Sequence, residues 1–295
     1  MRFGHLAQRL FNTPLAIRPE KAEVIMAALA ERLGVSKMMR MDGTAVGLQV
    51  DAFVGDESLV SPGRERATGY DMAGPAAIIQ VDGTLVQKLG TLRPWSGMTG
   101  YDGIRQNFLE AMADSDVEAI VLDVDSPGGE VAGLFDLVDT IYGARGEKPI
   151  WSILSESAYS AGYAIASAAD RVIVPRTGGT GSIGVIAMHM DWSKALTDSG
   201  FKVTFITYGD RKADGHPEIP LSKEALAGFQ ADIDDMGELF VKTVARNRGM
   251  TSAAVRDTQA ATFLGKKGVE AGLADAVLSP DAAFRSLMQE ITHST

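Results

Sequence analysis

The chain has 295 residues, enough for one large domain or two small ones, and 45% of them are apolar, so a sizeable buried core is available. Its formal net charge of −10 disfavours nucleic acid as the main partner, because phosphate binding needs Lys and Arg concentrated on one face. The absence of cysteine excludes disulfides, thiol nucleophiles and thiolate metal sites, and leaves Ser, Thr, Lys or a carboxylate as any nucleophile.

The first 70 residues are predicted to form a helix and a linker. Apolar residues recur at helical spacing from residue 13 to residue 34, and the stretch to residue 70 is rich in Gly, Met and Asp. We therefore place a domain boundary near residue 71. Charges flank the apolar stretch 24–30, and no run approaches the ~18 apolar residues of a membrane span. The chain is thus predicted to be cytoplasmic, without a leader or a membrane anchor.

From residue 71 onward, predicted strands alternate with predicted helices. The strands are expected at 76–81, 119–124, 150–154, 171–174, 183–189, 203–207 and 274–278. The helices are expected at 101–113, 130–143, 160–169 and 222–248. This interleaving predicts an α/β fold with a mostly parallel sheet.

Ser160 is the first candidate for chemistry. It lies in the sequence SAYSAG (157–162), just after a predicted strand and at the start of a predicted helix. A hydroxyl at that position lies at the carboxyl edge of a sheet, and the backbone N–H groups of the helix start favour negative charge there. The alternative is that Ser160 only caps the helix.

The sequence SPGG (126–129) is a second candidate, because a strand ends there and two glycines lead into a helix. Glycine pairs permit positive φ and leave N–H groups bare, so such a turn could hold a carbonyl oxygen as it becomes an oxyanion. An ordinary strand-to-helix turn is the alternative.

A third glycine-rich stretch, GGTGSIG (178–184), resembles a nucleotide-binding loop only in its glycine content. It lacks the Gly-Lys-Ser/Thr ending of a phosphate cradle, and a predicted strand follows it instead of a helix. Its glycines favour close packing of chain segments, with the Ser182 hydroxyl facing a specific partner.

Lys212 is the candidate general base. A lysine amine in water has a pKa near ~10.4 and is a poor base at neutral pH, whereas burial lowers the pKa of such an amine. Arg211 would act in the same direction as burial, and Asp210 and Asp214 would oppose it. The alternative is an ordinary solvated lysine in a polar loop.

Histidine is scarce, so a Ser-His-Asp triad has few possible members. His189 with Asp191 is the credible variant, and its alternative is a histidine packed at a strand end. No His, Asp and Glu cluster shows the spacing of metal ligands, so neither a metal nor a cofactor is predicted.

Taken together, these motifs resemble the signal peptide peptidase and phage prohead (capsid assembly) protease family of serine peptidases, within the Clp protease/crotonase superfamily. The resemblance covers roughly residues 72–280. Its motifs occur in the family's order: SPGG at 126–129, SAGY at 160–163 with ASAAD at 166–170, GSIGV at 181–185, Lys212 with Gly215, and GKKGVEAGLAD at 265–275. It implies a fold of repeated ββα units.

The resemblance also implies a role for each matching residue. Ser160 matches the nucleophile, Lys212 matches the general base, and Ser182 matches the hydroxyl that orients the lysine amine. Gly129 and Ala161 match the N–H donors of the oxyanion hole. The family usually has Ser-Gly-Gly at the nucleophile, and this chain has Ser-Ala-Gly. Family members form homo-oligomeric rings, so a neighbouring subunit is expected to complete the Ser/Lys dyad.

Within the family, the sequence from residue 5 to residue 23 looks like the phage capsid-assembly branch, whose substrates are scaffold and portal proteins of an immature head. Residues 1–70 would then be a docking or assembly extension, and residues 71–295 the peptidase domain. Three alternatives remain: a cytoplasmic signal-peptide-peptidase-like enzyme that degrades peptides, a crotonase-type acyl-CoA enzyme, and a structural member of an assembly without activity.

Overall fold

A computed structural model describes residues 14–18 and 69–294. Ten strands occur in these ranges: β1 (Leu15–Ile17), β2 (Asp71–Ala73), β3 (Ala76–Val86), β4 (Met98–Gly100), β5 (Ala119–Glu130), β6 (Ile150–Ala158), β7 (Arg171–Val174), β8 (Gly179–Gly181), β9 (Thr262–Leu264) and β10 (Ala276–Val277). The predicted helix from residue 13 is wrong at residues 15–17, which form β1. The remainder of that helix and the linker lie outside the described residues.

Eight strands form one mixed sheet. Its main path runs in the order β10-β7-β6-β5-β3-β2, with β4 beside β3 and β1 beside β5. The pairs β10–β7, β7–β6, β6–β5, β5–β3 and β3–β4 are parallel, whereas β1 and β2 pair antiparallel. The predicted α/β architecture with a mostly parallel sheet is confirmed. A separate small antiparallel sheet joins β8 to β9.

Eight helices occur in the described ranges. They are α1 (Tyr101–Ala113), α2 (Leu134–Gly143), α3 (Ala161–Ser167), α4 (Ser193–Asp198), α5 (Lys223–Arg248), α6 (Ser252–Asp257), α7 (Lys266–Glu270) and α8 (Pro280–Ser294). None of them is long and apolar enough to cross a bilayer. Helix α1 matches its predicted bounds, and α2 begins four residues later than predicted because β5 continues through Glu130.

Alternation along the strands places apolar side chains on both faces of the sheet. On β5, Ile120 and Leu122 join the large core that α1, α2, α3 and α5 cover, whereas Val121 faces the other way. That second face is smaller and includes Trp151 of β6, and α8 covers it with side chains such as Leu287. Burial on both faces explains why these strands read as continuous apolar runs in the sequence.

Two predicted strands are absent from the described residues. Ile186 makes only an isolated bridge with Leu15, so the segment 183–189 is not a strand. The segment 203–207 has no strand assignment either and is largely exposed. Both segments carry β-branched residues, but strand propensity requires a partner strand. The segment 183–189 pairs with β1 at Ile186 alone, and among the described residues the segment 203–207 pairs with no strand.

Residues 187–221 form a long excursion from the sheet, with only α4 as regular structure. Large apolar side chains on this excursion face solvent: Ile206 is 98% exposed and Tyr208 101%, and Phe201 is also exposed. Exposed apolar side chains grouped on one segment mark an interaction site more often than single ones do.

Candidate active site

The candidate site lies at the carboxyl ends of β5 and β6, where parallel sheets place their binding sites. The end of β5 carries Ser126 to Gly129, and Ser160 lies two residues after the end of β6. The N–H of Tyr159 donates to the Ser126 carbonyl at 2.9 Å, so the two strand ends are joined. The predicted turn at 125–129 is therefore extended backbone within β5.

Ser160 has an unusual backbone. Its φ of 51° and ψ of −118° lie outside the regions that residues with a Cβ favour, and such strain persists only where the surroundings impose it. The residue is 1% exposed. Its side chain makes no capping hydrogen bond to α3, so the capping alternative for Ser160 is wrong. A strained serine between a strand and a helix is the arrangement of a nucleophile elbow.

Two hydrogen bonds connect Ser160 to the glycine-rich segment at the end of β8. Its N–H donates to the Gly181 carbonyl at 2.9 Å, and its Oγ donates to the Gly184 carbonyl at a long 3.4 Å. Because the Oγ bond is long, the hydroxyl is held only weakly in this position.

Ser182 lies between those two carbonyls in the sequence. Its own φ is 56°, it is 8% exposed, and its N–H donates to the Ala261 carbonyl at 2.9 Å. The structure therefore brings Ser182 and Ser160 into neighbouring segments. Both serines have a left-handed backbone, which no local sequence pattern predicts.

Ala161 has an amide that fits an oxyanion donor. It is the first residue of α3, so its N–H has no partner within the helix. In the described part of the chain, this N–H donates to no backbone carbonyl. Ala161 is fully buried and Gly162 packs closely on Ser126, so Ala is accommodated at 161 and Gly is required at 162.

Gly128 and Gly129 allow close approach of other backbone segments. Gly128 has a φ of 107°, and a Cβ there would collide with the Ala16 carbonyl. A Cβ on Gly129 would collide with the Leu85 carbonyl of β3. The glycine pair therefore leaves room for other backbone segments on both sides of β5.

The far end of α3 is held by one arginine. The Arg145 guanidinium donates to the carbonyls of Ser167 and Ala168 at 2.9 and 2.7 Å, to that of Ala169, and to that of Asn247 at 3.1 Å. These bonds satisfy the carbonyls that end a helix. Arg145 thus fixes the short helix whose other end carries Ser160.

Lys212, by contrast, is exposed in a run of turns within the excursion. Its backbone N–H donates to the Gly209 carbonyl at 3.1 Å, and the neighbouring Arg211 pairs with Asp214 at 2.6 Å. Across the described residues, the Lys212 amine makes no hydrogen bond with Ser160 or Ser182. One copy of the chain therefore leaves the predicted base in solvent.

The alternative triad residues also lie at the start of the excursion. His189 is half-buried, and the exposed Asp191 carboxylate accepts the Ser193 N–H at 2.8 Å. Hydrogen bonds from Ser193 lower the pKa of Asp191. This carboxylate is thus occupied within its own turn, and His189 remains a predicted alternative.

An acidic group near the site was not singled out by its sequence pattern. Asp82 lies beside Asp125 across the β3–β5 pair, and Asp123 lies on the same strand as Asp125. Burial, then the charges of Asp123 and Asp125, raise the pKa of Asp82 to about 6. Only the register of β3 on β5 brings these carboxylates together. Within the described ranges, no group of His, Asp and Glu has metal-binding geometry.

A buried, strained serine at the head of a helix, beside an amide without a backbone partner, defines the class of site found in serine hydrolases. The model of the family described as Peptidase family S49 matches residues 144–293, more than half of the chain. The chain therefore belongs to peptidase family S49, which confirms the resemblance to serine peptidases. Membership of a peptidase family does not favour the acyl-CoA alternative.

Two phage proteins are similar over almost the whole chain. The head-tail preconnector protein GP5 of Enterobacteria phage P21 is 37% identical over 95% of this chain and 56% of its own length. The capsid assembly protease C of Escherichia phage lambda is 37% identical over 95% of this chain and 64% of its own length. The chain thus spans less than two thirds of either relative.

A cellular relative is more distant. The chloroplastic serine protease SPPA of Arabidopsis thaliana is 26% identical over 68% of this chain and 30% of its own length. Among solved structures, a point mutant of ClpP1 from Listeria monocytogenes aligns with a TM-score of 0.43 and 12% identity, over 68% of this chain and 90% of that chain.

Proposed function

We propose that this chain is a serine endopeptidase with a Ser160/Lys212 dyad that acts in the maturation of a phage prohead. The observation that carries the proposal is the backbone of Ser160, which is strained, buried and placed beside the unpartnered Ala161 amide. Such strain is costly in a residue with no task, at about 1–3 kcal/mol.

In the proposed reaction, the neutral Lys212 amine takes the proton of Ser160 Oγ as that oxygen attacks the substrate carbonyl carbon. The N–H groups of Gly129 and Ala161 stabilise the oxyanion of the tetrahedral intermediate. Collapse breaks the C–N bond, and the Lys212 ammonium returns the proton to the leaving amine. Lys212 then takes a proton from a water molecule as that water attacks the acyl-enzyme carbonyl carbon. The C–O bond to Ser160 breaks, and the Lys212 ammonium returns the proton to Ser160 Oγ.

Lys212 is proposed to reach Ser160 from a second copy of the chain. The amine must lose its contact with water to act as a base, and a single copy leaves Lys212 exposed. The exposed Phe201, Ile206 and Tyr208 lie on the same excursion. Their burial against a neighbouring subunit would exclude water from the surface of the excursion. A homo-oligomeric ring with shared sites satisfies both requirements.

The proposed substrates are phage scaffold, portal and capsid proteins. The support is the similarity to a head-tail preconnector protein and a capsid assembly protease over 95% of this chain. Residues 1–70 are proposed as the docking extension, with the exception of β1, which is part of the peptidase sheet. The proposed place of action is the host cytoplasm or the procapsid interior.

The test combines the 295-residue chain with purified scaffold and portal proteins of the phage that encodes it. Wild type is expected to produce discrete fragments, and Ser160→Ala none. Ser167→Ala is a matched control, because Ser167 is also a buried serine of the same segment but its hydroxyl bonds only within the fold. Equal cleavage by Ser160→Ala, or none by wild type, would contradict the proposal.

A second candidate is a cellular peptidase that degrades peptides such as cleaved signal peptides, favoured by the similarity to chloroplastic SPPA. The two candidates share Ser160 and differ in substrate. Faster hydrolysis of signal peptides than of scaffold protein by the same preparation would favour the cellular candidate.

A further inference from the structure

The edge of the site is already occupied by the chain's own N-terminal strand. Residues 14–18, here called the resident segment, run antiparallel to the end of β5 with Ala16 opposite Gly129. On its other side, Leu15 exchanges two backbone hydrogen bonds with Ile186, at 2.8 and 2.9 Å. The resident segment is thus inserted between β5 and the chain that follows Ser182.

In this strand register, the Gly129 N–H, which is a proposed oxyanion donor, points towards the resident segment. The Arg18 N–H donates to the Pro127 carbonyl at 3.0 Å, and the Val131 N–H donates to the Pro14 carbonyl at 3.4 Å. Hydrogen-bonded pairs alternate along an antiparallel ladder, so the pair between these two bonds is Ala16 with Gly129. The Gly129 N–H therefore faces the Ala16 carbonyl, as it would face the carbonyl of a substrate.

Side-chain contacts reinforce this placement. Ala16 is 0% exposed and belongs to the large core, and Leu15 and Ile17 are also buried although they point to the opposite face. The Arg18 guanidinium lies 4.6 Å from the ring centre of Tyr159, the residue before the proposed nucleophile. The segment therefore contacts the groove on both faces and reaches the immediate neighbour of Ser160.

We propose that this groove is the binding site for extended polypeptide substrates and that the resident segment is its internal ligand, which a substrate must displace. The inference rests on the proposed function and adds the mode of recognition: a peptide joins β5 as an added strand, held by backbone hydrogen bonds with pockets for alternate side chains.

The burial of the resident segment also predicts which side chains a substrate can place in the groove. The Ala16 side chain is fully enclosed, so a substrate takes a small residue there, Gly, Ala or Ser. The positions of Leu15 and Ile17 take apolar side chains. Peptides with an apolar–small–apolar triplet are thus expected to bind, and a bulky central residue is expected to weaken binding by roughly tenfold or more.

The absence of cysteine from the chain allows a reversible lock. Leu15 and Ile186 form a hydrogen-bonded antiparallel pair, with Cα atoms about 5.5 Å apart, a separation that a disulfide bridges. In the double variant Leu15→Cys/Ile186→Cys, oxidation fixes the resident segment in the groove and reduction releases it. Hydrolysis of a fluorogenic peptide containing Leu-Ala-Ile should fall by roughly tenfold or more on oxidation and recover on reduction.

Leu15→Cys alone is the matched control, and oxidation should leave its activity unchanged. Full activity of the oxidised double variant would overturn the proposal, because the segment would then be compatible with a bound substrate. An oxidised variant whose activity stays lost after reduction, in a chain that remains folded by circular dichroism, would overturn reversible displacement.

Binding distinguishes this proposal from the proposed function. In a Ser160→Ala background, fluorescence anisotropy with a labelled NTPLAIRP peptide (the sequence of residues 12–19) requires no hydrolysis. Tighter binding to the reduced than to the oxidised double variant supports the internal ligand even if wild type proves inactive on peptides. Equal affinity, or no binding in either state, would overturn it.

Discussion

The segment around Ser160 and the excursion around Lys212 differ in almost every physical property. Ser160 is buried and its backbone is strained. Ser160 itself is hydrogen-bonded to the glycine-rich segment at the end of β8, and the preceding residue, Tyr159, is hydrogen-bonded to β5. Lys212 is exposed, lies in successive turns, and has apolar neighbours on the excursion that face solvent. One copy of the chain therefore builds the surroundings of the proposed nucleophile but not those of the proposed base.

This difference shows which of the two regions has its conformation fixed within one copy of the chain. The strain at Ser160 and Ser182 is held by the sheet, by Arg145 at the end of α3, and by close glycine packing. The excursion has no comparable core among the described residues, so its position would be fixed by association with a partner surface. Substitutions around Ser160 should therefore change the free energy of unfolding, whereas substitutions in the excursion should change self-association.

The largest effect is expected at Ser160. Ser160→Ala should reduce peptide hydrolysis at least ~10³-fold, since it removes the proposed nucleophile. Ser160→Gly should be equally inactive yet more stable than Ser160→Ala by about 1 kcal/mol, because Gly adopts a φ of 51° without strain. Chemical denaturation of both variants measures this difference. Equal stability of the two would mean that the backbone strain is absent.

In the excursion, the expected change is in assembly and not in folding. Ile206→Asp should lower activity at least ~10-fold by weakening self-association, while the unfolding free energy changes by less than about 0.5 kcal/mol. Leu109→Asp on α1 is a matched control, an exposed apolar residue outside the excursion. Analytical ultracentrifugation compares the three chains, and unchanged association of Ile206→Asp would remove the excursion from the interface.

A smaller effect is expected at a buried ion pair outside the excursion. Arg248 is 8% exposed and donates twice to Asp275, at 2.9 and 2.7 Å. Burial raises the pKa of Asp275, but the Arg248 hydrogen bonds and charge outweigh it and lower that pKa. Asp275→Asn should cost about 2–3 kcal/mol by leaving a buried guanidinium without its counter-charge.

The exposed pair of Arg93 with Asp71 is the control for that substitution, and Asp71→Asn should cost less than about 1 kcal/mol. Because the folded pKa of Asp275 is depressed, its contribution is present above the unfolded value near 3.8 and is lost as pH falls below it. Equal costs for the two variants at about pH 7 would contradict the buried character of the Arg248 pair.

The smallest effect is expected at Asp82, whose pKa is raised to about 6. A raised carboxyl pKa destabilises the fold as pH rises from the unfolded value of 3.8 through 6, since the unfolded state ionises first. Asp82→Asn should therefore stabilise the chain by about 1 kcal/mol at about pH 7.5, discounted for partial solvation. The gain should vanish near about pH 4, and a gain that is constant with pH would contradict the electrostatic cause.

The same contrast explains what could be predicted from the sequence. Strands and helices with a local signal, such as α1 and β7, match their predicted bounds because periodicity and burial agree there. The strand β1 was missed, because a three-residue strand is stabilised by its partners, β5 and Ile186, and not by its own propensity. The predicted strand 203–207 failed for the converse reason: the residues favour a strand, but no partner lies within the described chain.

For the site, the family resemblance singled out Ser160 and Ser182, and the structure brings them into neighbouring segments. The family match supports the peptidase class. Their left-handed backbones and the Ala161 amide without a backbone acceptor depend on tertiary hydrogen bonds that no local pattern encodes. The Ser160–Lys212 pairing remains a prediction, since it depends on contacts between copies.

Mixing two inactive variants tests the shared dyad most directly. Ser160→Ala and Lys212→Ala should each be inactive alone. Both should fold, because Lys212 is exposed and Ser160→Ala removes only one hydroxyl. Randomly mixed oligomers, formed by dissociation and reassembly, should regain roughly a quarter of wild-type activity, since half of the serines remain and half of their neighbours keep lysine. No recovery in mixed oligomers of confirmed composition would contradict a dyad completed by a neighbouring subunit.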